Sequence, residues 1–281
     1  MTKRITSLIL GLCLCLSLFA QGRVNTRKYI LNDFTDKLTR VVLPGESLIG
    51  STLREEVVNQ WTASAFEFCT VEEFERDLSR DDFYFLVLAD TRFKGEEAPG
   101  LTFLTLFKGT PEAAEDRSKL HEIISLPVCA ADGASGRELV YLGAMVEAIQ
   151  AFTLAAMESE LTAYGRDDWF NGNFSREGHT KRIWICEDDL APQVQDADKE
   201  KFLDEDIFIA SEDEVDSRFI DGGYNVLTSY VAAPSSAEGY SYQMLFSADS
   251  RKLFYIQRHK LGKKKGPGFL PEDLKRIARK R

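Results

Sequence analysis

The chain has 281 residues and a formal net charge of −10. Its charge is uneven: residues 21–250 carry 21 Lys and Arg against 43 Asp and Glu, a net of −22, whereas residues 251–281 carry 12 against 2, a net of +10. An acidic body argues against a nucleic-acid partner, because such a footprint needs a basic surface. The length suffices for one large domain or two smaller ones with their own cores.

The N-terminus has the pattern of a secretory signal. Lys3 and Arg4 precede an uncharged, mostly apolar run, Ile5 to Ala20, which is too short for a comfortable membrane span. We therefore predict a signal peptide over residues 1–20 and an exported protein, periplasmic or secreted. An uncleaved anchor and a lipoprotein are the alternatives, but both candidate lipid sites, Cys13 and Cys15, follow a leucine rather than a small residue.

After a lead-in over residues 21–37, the periodicity predicts alternating strands and helices. Residues 38–45, 66–69, 82–88, 101–107 and 123–130 are strand-like, whereas Leu53, Val57 and Trp61 repeat at helical spacing and Thr70 is a helix cap before Glu72. A long apolar helix follows over residues 137–160. Its only charge between Leu139 and Met157 is Glu147, and we expect the helix to be buried between layers rather than to span a membrane.

The same order recurs at an offset of about 141 residues. Ser211 takes the place of Thr70, Val215 and Phe219 those of Phe74 and Leu78, and residues 242–246 fall on residues 101–105, with Tyr224 matched to Phe83. We predict an α/β fold, with α+β as the alternative, built from two duplicated β-α-β-α-β-β-β-α modules with mixed sheets. The first module covers residues 38–163 and the second, which ends in the basic tail, covers residues 181–281; residues 164–180 have the composition of a linker.

The order of elements around LPGESL (residues 43–48), LREEVVNQW (53–61) and EEFERDL (72–78) resembles the α/β module of curli-secretion lipoproteins and related exported assembly components. The resemblance implies an α/β module in an exported protein. It carries over no site residues, and this chain departs from that family at its cysteines, as described above.

Two glycine-bearing loops before helices are candidate anion sites, because backbone N–H groups at a helix start attract negative charge. In the first loop, Ser135 and Gly136 are the candidate residues, and a capping box of Ser135 with Glu138 is the alternative explanation. In the second loop, Lys263, Lys264 and Lys265 add positive charge, which makes it the better anion candidate.

Acidic residues are densest between Glu187 and Asp216, and the triplet Glu187, Asp188 and Asp189 follows a predicted strand. The carboxyl ends of strands are where α/β sheets commonly place sites. The alternating acids Asp196, Asp198 and Glu200 lack the glycine and glutamate of an EF-hand loop, so a solvated face is favoured over a cation site.

Easily recognised catalytic motifs are missing. The sequence has no HExxH, GxSxG or GxxxxGK[ST] motif, and the three histidines lie in separate segments. The cysteines that follow the signal segment, Cys69, Cys129 and Cys186, are odd in number and lack metal-ligand spacing. We therefore predict no metal and no cofactor.

These observations favour an exported, non-enzymatic binding or assembly protein of the cell envelope. Its basic tail would contact an envelope protein or an anionic surface, and the mature chain would have no membrane span. The alternative is an exported hydrolase that uses carboxylates near residues 187–189 as general acid and base.

Overall fold

The computed structural model describes residues 17–18, 28–93, 96–133, 135–203 and 205–279. Apart from Ser17 and Leu18, the predicted signal segment lies outside the described residues. The first half contains a mixed sheet and the helices that cover it. Its elements are β1 (Ser17–Leu18), α1 (Lys28–Leu31), β2 (Leu38–Val42), α2 (Leu48–Gln60), β3 (Phe66–Cys69), α3 (Val71–Asp77), β4 (Phe83–Thr91), β5 (Leu101–Lys108), β6 (His121–Ala130) and α4 (Glu138–Glu158).

The second half repeats this arrangement after two connecting helices. The segment predicted as a linker is largely helical, because α6 occupies most of it. The elements are α5 (Glu160–Tyr164), α6 (Arg166–Glu177), β7 (Arg182–Cys186), α7 (Asp196–Phe202), β8 (Ile207–Ala210), α8 (Glu212–Ile220), β9 (Val226–Ala232), β10 (Tyr240–Ser247), β11 (Leu253–Lys260) and α9 (Pro271–Arg279).

The two sheets have the same strand order and the same directions. The first runs β3-β2-β4-β5-β6, with β1 pairing beside β4, and the second runs β8-β7-β9-β10-β11. In each sheet the first three strands of the path are parallel and the last two connections are antiparallel. The predicted mixed α/β fold with two similar sheet-helix units is thus confirmed.

The register also reproduces a local irregularity. The ladder between β5 and β6 shifts between Leu106 and Phe107, and the ladder between β10 and β11 shifts between Leu245 and Phe246. Both irregularities are β-bulges, and each lies directly before a paired phenylalanine. These two phenylalanines, Phe107 and Phe246, are 139 positions apart. A shared bulge at a matching position is further support for duplication.

Two details of the predicted alignment are wrong. Val226, not Tyr224, corresponds to Phe83, because Val226 pairs with Arg182 as Phe83 pairs with Leu38. Tyr224 is 79% exposed and lies in a turn in which Asn225 has a left-handed backbone. In β10, the matching bulges put Phe246 in the place of Phe107, so residues 242–246 correspond to residues 103–107 rather than 101–105.

The largest core cluster joins the two modules around α4. It contains Leu86 and Leu104 from the first sheet and Met244 and Phe246 from the second. By length and composition α4 is apolar enough to cross a membrane, but 67% of its most apolar window is buried inside the protein. Helix α4 therefore serves as a shared core helix, which explains why it carries so few charges.

Side chains of α6 form hydrogen bonds with one residue on the outer strand of each sheet. On β6, the Ser125 carbonyl accepts a hydrogen bond from Arg166 (2.9 Å). On β11, the Asn171 side chain accepts from the Ile256 N–H (2.9 Å) and donates to the Ile256 carbonyl (3.0 Å), as a neighbouring strand would. Helix α6 therefore satisfies strand edges that would otherwise be unpaired.

Candidate binding cleft

A cleft of about 630 Å³ lies where β6, the start of α6 and the β10–β11 pair meet. Its volume is in the range of small-molecule sites, and a boundary between structural units is a common place for such a site. Five aromatic residues line it: Phe93, Phe103, Phe152, Tyr164 and Tyr242. The charged residues of its lining, within the part of the chain that the structure describes, are Glu122, Arg166, Asp167, Asp168 and Arg258.

The bulge in β6 aims Glu122 at the cleft. Residues three apart in a regular strand point to opposite faces, but the extra residue Ile123 brings Glu122 and Ser125 to the same face. There the Ser125 hydroxyl donates a 2.6 Å hydrogen bond to Glu122 Oε1 and lies 2.9 Å from the Thr105 hydroxyl. The irregular strand thus positions an acidic side chain that its sequence spacing would have turned away.

Glu122 is a buried carboxyl group without a cationic partner. Its exposed fraction is 9%, and it forms no ion pair among the described residues. Burial raises its pKa above the ordinary value of 4.5, and the Ser125 hydrogen bond and the charge of Arg166 offset this only in part. A buried carboxyl group with a raised pKa in a cleft is a candidate functional group.

The second module offers an internal comparison for Glu122. At the matching bulge, Phe246 pairs with Leu253 as Phe107 pairs with Glu122. Leu253 is buried in the apolar core. The same strand geometry is therefore compatible with a leucine, so the fold itself does not require a carboxyl group at this position.

The two arginines of the cleft are held differently. Arg166 forms an ion pair with Asp167 (2.8 Å) and donates to the Ser125 carbonyl. Arg258 donates to the Tyr242 hydroxyl (3.3 Å) and lies over the Tyr240 ring, 5.1 Å from its centroid. Among the described residues, Arg258 forms no ion pair, and neither do Glu122 and Asp168, the two other cleft groups outside the Arg166–Asp167 pair.

Asp189 belongs to a different, fully enclosed group of charges. Arg137 precedes α4 and donates to Asp189 Oδ1 (2.8 Å), to both carboxylate oxygens of Asp216 (3.0 and 3.1 Å) and to the Ser229 carbonyl (2.8 Å). The hydroxyl groups of Ser229 and Tyr141 donate to Asp189 and Asp216 respectively. Every charged member therefore has an oppositely charged partner, and the group ties α4 to the second sheet.

The other carboxylates of the predicted hydrolase site do not converge with Asp189. Glu187 and Asp188 are exposed, and so is His179 on its own 3₁₀ turn. Cys186, Asp188 and Glu212 each place one potential ligand atom within 4.8 Å of the others, two of them at the exposed surface. Asp198 accepts from the Gln195 N–H (3.1 Å) and so caps helix α7, and Glu200 is exposed.

In the first glycine loop, the N–H groups face a side chain of the protein. The Glu138 carboxylate accepts from the Gly136 N–H (3.0 and 3.1 Å) and from the Ser135 hydroxyl (3.1 Å). Ser135 Oγ in turn accepts from the Arg137 N–H (3.2 Å). Glu138 therefore occupies the position that an external anion would take.

In the second glycine loop, the three lysines are exposed on a tight turn. Gly262 and Lys265 exchange backbone hydrogen bonds of 3.0 Å on either side of Lys263 and Lys264. None of these lysines forms an ion pair with a carboxylate in the described ranges. The cysteines Cys69, Cys129 and Cys186 are free thiols.

No family model, curated protein or solved structure matches this chain. Sequence reasoning missed Glu122, Arg166 and Arg258. The available signal was an acid at the head of an apolar strand, HEIISL, where the second copy has a leucine. The charged run Arg166 to Asp168 was assigned to a linker because its composition resembles one.

Proposed function

We propose that this chain is an exported, non-enzymatic binding protein of the cell envelope, which binds a small ligand in the cleft between its two modules. The observation that carries the proposal is Glu122, a buried carboxyl group that lines the cleft and forms no ion pair within the described ranges. Leaving a polar group buried without full pairing costs stability, and natural proteins retain such exceptions mainly at functional or strained sites.

The hydrolase alternative receives no support from the geometry near residues 187–189. A general acid or base must reach the substrate. The Asp189 carboxylate is buried, with one oxygen bonded to Arg137 and the other to Ser229. We therefore propose no second function for this region.

The basic C-terminal region remains a proposed contact for an envelope protein or an anionic surface. Removing everything after Ser250 would remove β11 and the buried residues Leu274 and Ile277, so truncation is a poor test. Replacing Lys263, Lys264 and Lys265 by glutamine keeps these elements. We expect this triple variant to bind anionic vesicles, or a crosslinked envelope partner, more weakly than the unchanged chain, and to bind cleft ligands equally well.

The cleft is tested by screening a mixed panel of anionic, neutral and cationic small molecules by ligand-observed NMR. The matched variant is Gly165→Trp, which places a large side chain in the cleft lining. A Cβ at Gly165 would approach other atoms no closer than 3.4 Å, so we expect this variant to fold. Binders that lose their signal with Gly165→Trp would support the proposal, whereas a panel without any cleft-dependent binder would contradict it.

A further inference from the structure

We propose that the cleft ligand is a small organic ammonium compound whose cationic nitrogen pairs with Glu122. This inference rests on the proposed function and specifies its ligand class. Glu122 supplies a buried negative charge that forms no ion pair among the described residues, and the charge of Arg166 offsets the cost of its burial only in part. Burying a carboxylate is favourable only when it is paired, so a cationic ligand is the partner that completes the site.

The remaining lining agrees with a cationic ligand. Among the described residues, three carboxyl groups, those of Glu122, Asp167 and Asp168, line the cleft against two guanidinium groups. Arg166 is already paired with Asp167, which leaves two carboxyl groups, those of Glu122 and Asp168, against the single guanidinium of Arg258 in the described lining. Residues 21–281 together carry a net charge of −12, which also favours the approach of a cationic ligand over an anionic one.

The aromatic lining suits an ammonium group that carries an apolar portion. Phe103 and Tyr242 meet edge to face, with ring centroids 5.7 Å apart, and Phe93 meets Tyr240 at 5.1 Å. Aromatic faces attract organic cations and exclude water from them. A ligand with an ammonium group and an apolar portion would therefore contact the Glu122 carboxyl group and the aromatic rings at the same time.

The cationic ligand also predicts a dependence on pH. Glu122 must be ionised to pair with an ammonium group, and its pKa is raised by burial. Affinity should therefore fall as the pH is lowered through that raised pKa, and binding should release a proton near it. The other titratable and charged groups that face the cleft are Tyr164, Arg166, Asp167, Asp168, Tyr242 and Arg258.

The experiment compares three probes of similar shape by calorimetry: benzylamine, which is cationic, benzyl alcohol, which is neutral, and benzoate, which is anionic. We expect benzylamine to bind most tightly. Glu122→Gln, which keeps an acceptor for the Ser125 hydroxyl, should weaken benzylamine binding by about tenfold or more, as expected for loss of a charged hydrogen bond. Glu200→Gln removes the same charge from an exposed site on α7 and should leave the affinity unchanged.

Benzoate or benzyl alcohol binding as tightly as benzylamine, or Glu122→Gln binding benzylamine normally, would overturn the inference. If benzoate bound and Arg258→Gln abolished its binding, the cleft would remain a binding site with the opposite charge preference. If none of the three probes bound, the proposed ammonium ligand would be excluded. The mixed screen with Gly165→Trp would then still test whether the cleft binds any small molecule. Nα-acetyl-lysine amide binding more tightly than benzylamine would support the ammonium chemistry and identify a peptide side chain as its source.

Discussion

The buried charges around Arg137 and the buried carboxyl group of Glu122 differ in how completely the protein pairs them. Arg137 has two carboxylate partners, Asp189 and Asp216. The side chains of Arg137, Asp189 and Asp216 are 6%, 5% and 12% exposed, respectively. Glu122 is similarly buried, but the one donor to its carboxylate in the described part of the chain is the Ser125 hydroxyl. Burial of a charge alone therefore does not mark a site: a fully paired network stabilises the fold, whereas a buried charge without an ion pair is free to bind an oppositely charged ligand.

The largest effect should come from breaking the complete network. Arg137→Met leaves Asp189 and Asp216 buried without their cation, which should lower the free energy of unfolding by about 3–5 kcal/mol. Urea unfolding of the variant and the unchanged chain measures this. Combining Arg137→Met with Asp189→Asn and Asp216→Asn should recover part of the lost stability. An unchanged urea midpoint for Arg137→Met alone would show that Asp189 and Asp216 do not depend on Arg137 for their charge pairing.

A matched pair of serine variants compares the two regions directly. Ser229→Ala removes a donor to Asp189 and an acceptor for the Cys186 N–H, in surroundings that water does not reach. We expect a loss of about 1.5–3 kcal/mol, as for a hydrogen bond to a charged group. Ser125→Ala should lower the free energy of unfolding by less than Ser229→Ala does, because the Glu122 carboxylate can then form hydrogen bonds with water in the cleft. Equal losses in urea unfolding would contradict the distinction between a closed and an open site.

Glu122→Gln should change the free energy of unfolding by less than these variants do, and it should raise that free energy rather than lower it. The raised pKa means that the folded protein holds a proton more tightly than the unfolded chain does. The contribution of Glu122 to stability is therefore present at pH below its ordinary pKa and is lost as the pH rises through the raised value. The advantage of Glu122→Gln over the unchanged chain should grow across that range and then level off. Thermal unfolding at several pH values measures this, and a pH-independent difference would argue against a buried, unpaired carboxyl group.

Much of the fold could be predicted from the sequence, because strands and helices leave distinct periods. The apolar runs around Phe85 and Leu104 predicted strands, and Thr70 was predicted as the cap that it is: its hydroxyl accepts from the Glu73 N–H at 3.2 Å. The duplicated order emerged from the same local patterns. The left-handed turn at Asn225 was not evident from the sequence. It moves the start of β9 by two residues relative to the predicted alignment, from Tyr224 to Val226.

The candidate site could not be predicted, because it depends on contacts between distant segments. The direction of Glu122 is set by a bulge, which belongs to the pairing of β5 with β6 and not to either strand alone. Asp189 was singled out for its place after a strand, but its partner Arg137 lies 52 positions earlier in the chain. Sequence spacing placed the carboxylates near 187–189 together, whereas the fold buries one and exposes two.

The most direct test of the distinction between the two regions is an NMR titration of the Glu122 side-chain carboxyl carbon, assigned with Glu122→Gln. We predict that its pKa in the free protein lies above the ordinary glutamate value and that saturating benzylamine lowers it. An ordinary pKa that benzylamine does not change would mean that Glu122 is solvated or already paired, and would contradict the central claim that this carboxyl group is left for a ligand.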